Sequence, residues 1–268
     1  MTTQLTHQAG RSVGAAPPAE TDLMSADLLS ADLLGAVTAA LGTVRDPELD
    51  ESIVDLGFVL ATSVRAGRAE VRLRLPTYFC APNFAFLMVA DAFDAVSAVA
   101  GITSVSIVLE EHFASREINA GVAAGGGFVE AFGNEASGEL AELRANFQRK
   151  AHTASLERAC RRLLTEGWTV QGLAAATLGD LPEGRERAGL LRRRADINLP
   201  MSPQSPLFVL DDGTPVPAEK VPLRLRFAQT VRVSIDGNAH FCRGLLTTRY
   251  PEAAADQRPR EFDEEAGI

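Results

Sequence analysis

Three cysteines, Cys80, Cys160 and Cys242, and four histidines, His7, His112, His152 and His240, are the side chains of this chain best suited to bind a metal or attack an electrophile. Cys80 stands in a proline-bounded loop, Leu75-Pro76-Thr77-Tyr78-Phe79-Cys80-Ala81-Pro82, just ahead of a helical pattern. A thiolate at a helix N-terminus gains from the positive end of the helix dipole, and the thiolate is the form that binds iron or attacks. Cys160 is spaced from Leu156 and Leu163 on an apolar helix face, where a free cysteine acts as a small hydrophobe. His240 and Cys242 fall two residues apart in a predicted strand, so both could approach one metal from the same face, although ordinary strand packing is favoured. His112 and His152 have less support, and His7 lies in the N-terminal tail.

Asp46, Glu48 and Asp55 could form a carboxylate cluster that binds metal or serves as acid and base. Turn and cap chemistry is the favoured alternative, because Asp46 precedes Pro47 and Asp55 precedes Leu56-Gly57. The odd cysteine count, with no Cys-x-x-Cys spacing, argues against a disulfide framework and suits a reducing compartment. Gly125-Gly126-Gly127 is followed by no Lys-Ser or Lys-Thr pair, so it is no phosphate loop. There is no nucleophile elbow, no His-Glu-x-x-His and no dinucleotide fingerprint, and the chain is not expected to be an enzyme.

The elements that must position these residues follow from periodicity. Residues 1–30 read as a disordered tail, with Ser30 as N-cap of a short helix that carries Leu33, Leu34, Val37 and Leu41. Phe58 to Val64 and Val71 to Leu75 alternate around Ala66-Gly67-Arg68 and predict a β-hairpin. Phe84, Leu87, Met88, Ala95, Val96 and Val99 predict a second helix, and Val105, Ile107 and Leu109 a third strand. Helix, strand, strand, helix, strand makes a small two-layer α/β domain over 31–112.

A Gly-rich connection is expected over 113–134, then a C-terminal region over 135–250 and an acidic tail over 251–268. The C-terminal region reads as helices followed by antiparallel strands, at Pro206 to Leu210, Leu223 to Phe227, Val231 to Ile235 and Ala239 to Leu245, with Asp236-Gly237-Asn238 as a hairpin turn. The fold class is α+β.

Composition bounds the rest. A chain that is 46% hydrophobic and 23% charged can bury a core, and its net charge of -9 gives no reason to attract nucleic acid. The basic run Arg185, Arg187, Arg192, Arg193 and Arg194 reads as a solvated helix face. No apolar run is long enough to span a membrane, the first residues lack the order of a signal peptide, and a cytoplasmic location is expected.

The segment Val44-Arg45-Asp46-Pro47-Glu48-Leu49-Asp50-Glu51-Ser52-Ile53-Val54-Asp55-Leu56-Gly57 resembles the signature of the iron-sulfur cluster assembly domain found in SufT and PaaD-like proteins and in eukaryotic cytosolic iron-sulfur targeting factors. In that family the first helix ends in an Asp-Pro-Glu turn, and an Ile-Val-Asp-Leu-Gly run opens the first strand. The resemblance maps Cys80 onto the family cysteine and Thr77 onto its upstream hydroxyl residue, with Cys-Ala-Pro here in place of Cys-Pro.

The resemblance implies an accessory protein that assembles or delivers an iron or iron-sulfur centre to a client metalloenzyme, or works with other maturation factors. Cys80 would be the metal or cluster contact and Thr77, Asp46, Glu48 and Asp55 its support. PaaD-type relatives act beside multicomponent oxygenases, which suggests such a client. One thiol cannot hold a cluster that takes four thiolate ligands, so a transient site, or one bridged across a homodimer, is expected. The alternative is a scaffold that keeps the fold without the metal role.

Overall fold

A computed structural model of the chain describes residues 20–125, 137–254 and 260–261. The expectations for residues 1–19, for the glycines at 126–127 and for most of the acidic tail lie outside the described residues.

Helix α1 (Glu20–Leu41) starts ten residues ahead of the expected N-cap, so Ser30 lies inside it. The apolar residues Leu23, Met24, Leu28 and Leu29 extend the helical spacing backwards, and no proline interrupts it after Pro18. Val37 and Leu41 are fully buried against the sheet. The hairpin is formed by β1 (Val59–Arg65) and β2 (Arg68–Leu73), with Arg65 opposite Arg68. Its two turn residues, Ala66 and Gly67, both have positive φ, at 48° and 75°, as a right-twisted two-residue turn requires.

Helix α2 (Pro82–Ser97) then crosses over the sheet and returns the chain to β3 (Ser104–Leu109), which pairs parallel to β2. Buried Ala85, Phe86, Met88, Val89, Ala92 and Val96 of α2 meet Val71, Leu73, Ile107 and Leu109 of the strands in one core. The expected α-β-β-α-β unit is therefore present. Arg260–Glu261 (β4) pairs parallel to β1 and makes the sheet order β3-β2-β1-β4, so the expected frayed tail contributes a short edge strand.

The expected connection over 113–134 contains a helix, α3 (Ser115–Ala123), whose Ile118 and Val122 are buried in the first core. Asn119 of α3 accepts the Leu109 N–H at 2.9 Å and donates to the Leu109 carbonyl at 3.1 Å, which satisfies the end of edge strand β3. A second core is built from Leu156, Cys160 and Leu163 of α4 (Ser137–Thr165), Leu190 of α5 (Arg185–Asp196) and Leu173, Leu178, Leu207 and Phe208 of the intervening segments. Fully buried Arg194 holds that core's loops in place, donating to the carbonyls of Pro200, Pro206 and Leu207 at 2.8, 2.7 and 2.8 Å.

The C-terminal region departs from expectation. Leu223 to Phe227, Val231 to Ile235 and Ala239 to Leu245 are not antiparallel strands but parts of one 29-residue helix, α6 (Val221–Arg249). Pro206 to Leu210 makes only isolated bridges, of Pro206 with Thr177 and of Val209 with Pro215. Val221, Ala228 and Ile235 are buried at seven-residue spacing, as are Ala239 and Leu246, a helical seam. Exposed Leu223, Phe227, Val233 and Phe241 on the other side of α6 disguise that seam as strand alternation. Gly237 costs a helix interior about 1 kcal/mol relative to alanine. The seam's burial against both cores offsets it.

Candidate functional site

Cys80 lies two residues ahead of α2. Ala81 is the N-cap, in the extended conformation that a residue before proline prefers, and Pro82 occupies the first helical position, where its missing N–H costs nothing. The Ala81 carbonyl accepts from the N–H groups of Phe84 and Ala85. The extra alanine of Cys-Ala-Pro is thus the cap itself. It sets Cys80 just outside the helix, half-buried and packed against the first core.

Thr77 lies against Cys80 in the same loop. Its hydroxyl is 3.3 Å from the Cys80 sulfur and accepts the Phe79 N–H at 3.2 Å, so its own proton is free to point at the sulfur. A residue that local sequence spacing could not single out holds the loop from the other side. His112, 3% exposed, accepts the Ala114 N–H on Nδ1 at 3.2 Å, which leaves the proton on Nε2, and Nε2 donates to the Cys80 carbonyl at 2.7 Å. Its partner lies 32 residues back, beyond any local pattern. Around the thiol, Tyr78, Phe79 and Phe113 form an exposed aromatic group with ring centres 5.0 to 6.3 Å apart.

The three carboxylates separate. Asp46 is buried, its Oδ1 accepting the N–H groups of Glu48 and Leu49, both at 2.8 Å, which is the favoured turn role. Burial pushes its carboxyl up to about 6 against those bonds, and the Glu48 charge adds to the rise. Glu48 is half-buried and accepts from Asn238 of α6 at 3.2 Å. Asp55 is exposed, and its charge acts on Arg45.

Helix α6 runs along this face of the first domain. Arg243 pairs with Glu51, Leu246 lies over Gly57, and Arg249 donates to the Leu75 carbonyl at 3.2 Å and the Glu111 carbonyl at 2.7 Å. The pairing of His240 with Cys242 is overturned by this helix, because residues two apart point to nearly opposite sides of it. His240 is exposed, whereas Cys242 is half-buried against the first core. Cys242 instead comes into the neighbourhood of Cys80. Burial pushes its thiol up to about 11, and the charges that add to the rise are those of Asp46, Cys80 and Glu48.

Cys242 thus lies within electrostatic reach of the Asp46 turn and the Cys80 loop. Among the described residues, no group of three or more His, Cys, Asp and Glu side chains is arranged to hold a metal ion. Cys160 is fully buried and its thiol is pushed up to about 12 by burial, as a core residue should be. His152 is buried in α4, away from solvent, and is held neutral by burial and by Arg194, which push it down to about 4.

The family described as iron-sulfur cluster assembly protein matches residues 35–107. This segment is an iron-sulfur cluster assembly domain. It carries the Asp46 turn, Gly57 and the Cys80 loop, and it supports a role in iron-sulfur cluster assembly. Residues outside it supply His112, α3 and the whole of α6. No curated protein and no solved structure matches the chain. No helix among the described residues is long and apolar enough to cross a membrane.

Proposed function

We propose that the protein is an accessory factor, not an enzyme, that takes up iron, sulfide or a cluster transiently at Cys80 and passes it to a client metalloenzyme. The observation that carries this reading is the half-buried Cys80 thiol, 3.3 Å from the Thr77 hydroxyl in the loop just ahead of α2, with Cys242 of α6 packed against the same core. Two thiols leave a four-thiolate cluster incomplete, and a donor needs open positions through which the receiving protein can take the cargo. Burial and negative neighbours keep Cys242 protonated, and the same negative neighbours favour an arriving cation, which displaces the thiol proton as it binds.

The exposed rings of Tyr78, Phe79 and Phe113 beside the thiol give the client an apolar surface to seat on. A multicomponent oxygenase is the client we favour, by similarity to PaaD-type proteins, and the cytoplasm is the compartment we favour, since all three cysteines are free. A homodimer that brings two such sites together would complete a cluster's ligands before transfer.

The test is anaerobic purification with iron and sulfide analysis and a visible spectrum, on the wild type, Cys80→Ala and Cys242→Ala. Iron in the wild type, lost in Cys80→Ala and reduced in Cys242→Ala, is expected. A second reading, a scaffold that keeps the fold without the metal role, is favoured by the lack of a three-residue ligand group among the described residues. A wild-type protein that takes up no iron even after reconstitution decides for the scaffold.

A further inference from the structure

We propose that the cavity between the Arg45–Glu51 loop of the assembly domain and helices α4, α5 and α6 is a binding site for a compact polyanion, one that carries two or more phosphate or carboxylate groups. The cavity has a volume of about 620 Å³. Liquid water takes about 30 Å³ per molecule, so a single tetrahedral anion would leave most of the space empty. Eight arginines line it against four carboxylates. No aromatic ring lines it, so its ligand is recognised by charge and hydrogen bonding rather than by stacking.

The basic run that reads as a solvated helix face is sorted by the fold into different roles. Arg194 is buried in the second core and Arg187 pairs with Glu183. Arg185, Arg192 and Arg193 line the cavity together with Gly189, on one face of α5. Opposite them α4 presents Arg158 and Arg162, and α6 presents Arg232.

A network that served only to hold the helices together would give each guanidinium a carboxylate. Most have one: Arg185 has Glu186, Arg162 has Glu166, Arg161 and Arg232 share Glu157, and Arg158 and Arg232 share Asp236. The centre is different. Arg45 and Arg193 share Asp50, with Asp196 as a further partner of Arg193 alone. Arg192 has no ion-pair partner among the described residues, and the buried Nε of Arg193 has no acceptor. Arg45 is pushed below the usual arginine range by burial, then by Arg193 and Arg192, which outweigh Asp50. An anion between these three relieves the crowding, and the guanidinium fork matches both carboxylate and phosphate oxygens. The Ser155 hydroxyl on the same wall adds a neutral donor, whereas that of Thr165 is already donated to the Arg162 carbonyl at 2.7 Å.

The same three arginines also border a smaller cavity of about 370 Å³, whose own arginine, Arg144, is already held by Asp91 through two hydrogen bonds. That fork leaves the larger cavity as the one with donors to spare. Because one of its walls is the loop that carries Asp46, a bound anion ties the assembly domain to the three C-terminal helices. The inference is independent of the role of Cys80.

Titration calorimetry on the full chain tests it, in metal-free buffer at constant ionic strength, with pyrophosphate and citrate as the two probes and acetate as the monovalent control. One of the two polyanions should bind one to one and saturate, the better probe telling phosphate from carboxylate chemistry. Arg192→Ala and Arg185→Ala should each weaken it by about tenfold or more, the loss of a charge-assisted contact. Arg116→Ala, at an exposed arginine of α3 that lines neither cavity, should leave it unchanged. Because Arg192 has no partner to lose, its variant should keep the wild-type melting temperature without ligand, which separates lost binding from lost folding. No saturation by either probe up to about 10 mM, or heats equal to those of acetate, overturns the proposal. Binding that survives both cavity variants, or that falls only in Arg144→Ala, overturns it as well.

Discussion

Replacing Asp46 with asparagine should remove a pH dependence that the fold builds into the Asp-Pro-Glu turn. The carboxyl is buried and its ionisation is raised from 3.8 to about 6. The folded chain therefore keeps this proton to higher pH than the unfolded chain does. The stabilisation it gives is complete below the unfolded value near 4 and is lost as pH rises through about 6. Two pH units at 1.36 kcal/mol each put the loss at about 3 kcal/mol. Asparagine keeps an oxygen that can accept the Glu48 and Leu49 N–H groups but has nothing to ionise. The variant should gain about 2 to 3 kcal/mol on the wild type between pH 4 and pH 7, somewhat less than the full figure because part of the loss has already occurred by pH 4. Urea unfolding followed by circular dichroism at half-unit pH steps measures this as a difference curve. The difference is needed because His152 titrates over the same range with the opposite slope. A difference between the two proteins that stays flat within about 0.5 kcal/mol from pH 4 to 7 would refute the reasoning.

His152 is held neutral with its ionisation pushed down from 6.5 to about 4, so its folded form takes up a proton later than its unfolded form as pH falls. Stability from this group is full above 6.5 and drains away towards 4, and His152→Leu should recover about 2 kcal/mol at pH 5 relative to pH 7.5 in the same melts. Gly57 has φ of 75°, and a Cβ there would lie 3.1 Å from the Leu246 side chain of α6. Gly57→Ala should cost about 1 to 3 kcal/mol by urea unfolding, and the second change Leu246→Ala should cost less in that background than in the wild type, since it relieves the contact.

The assembly domain was legible in the sequence because its signals are local. Alternation in Val71 to Leu75, helical spacing in Phe84 to Val99 and the prolines on either side of Cys80 each act within a few residues, and the backbone obeyed them. The Thr77–Cys80 contact, three residues apart, was within the same reach. Helix α6 was not. Its apolar residues lie on two sides, and the turn formers Asp236, Gly237 and Asn238 sit in its middle, so local preference pointed to a hairpin. Burial of the Val221, Ala228 and Ile235 seam, and of Ala239 and Leu246, against partners far along the chain outweighed that preference.

From that one change follow the features that no spacing could supply. The helix separates His240 from Cys242 and packs Cys242 against the core that Cys80 also meets. The burial of His112 sets the Cys80 carbonyl. The packing of α5 sorts one basic run into a buried structural arginine, a surface pair and the wall of a cavity. The sequence by itself determined the residue types, the short elements and the loop that carries the thiol. Only the tertiary structure decided which distant side chains share a site, because a long-range contact is fixed by how whole helices bury their faces and leaves no period in the chain around either partner.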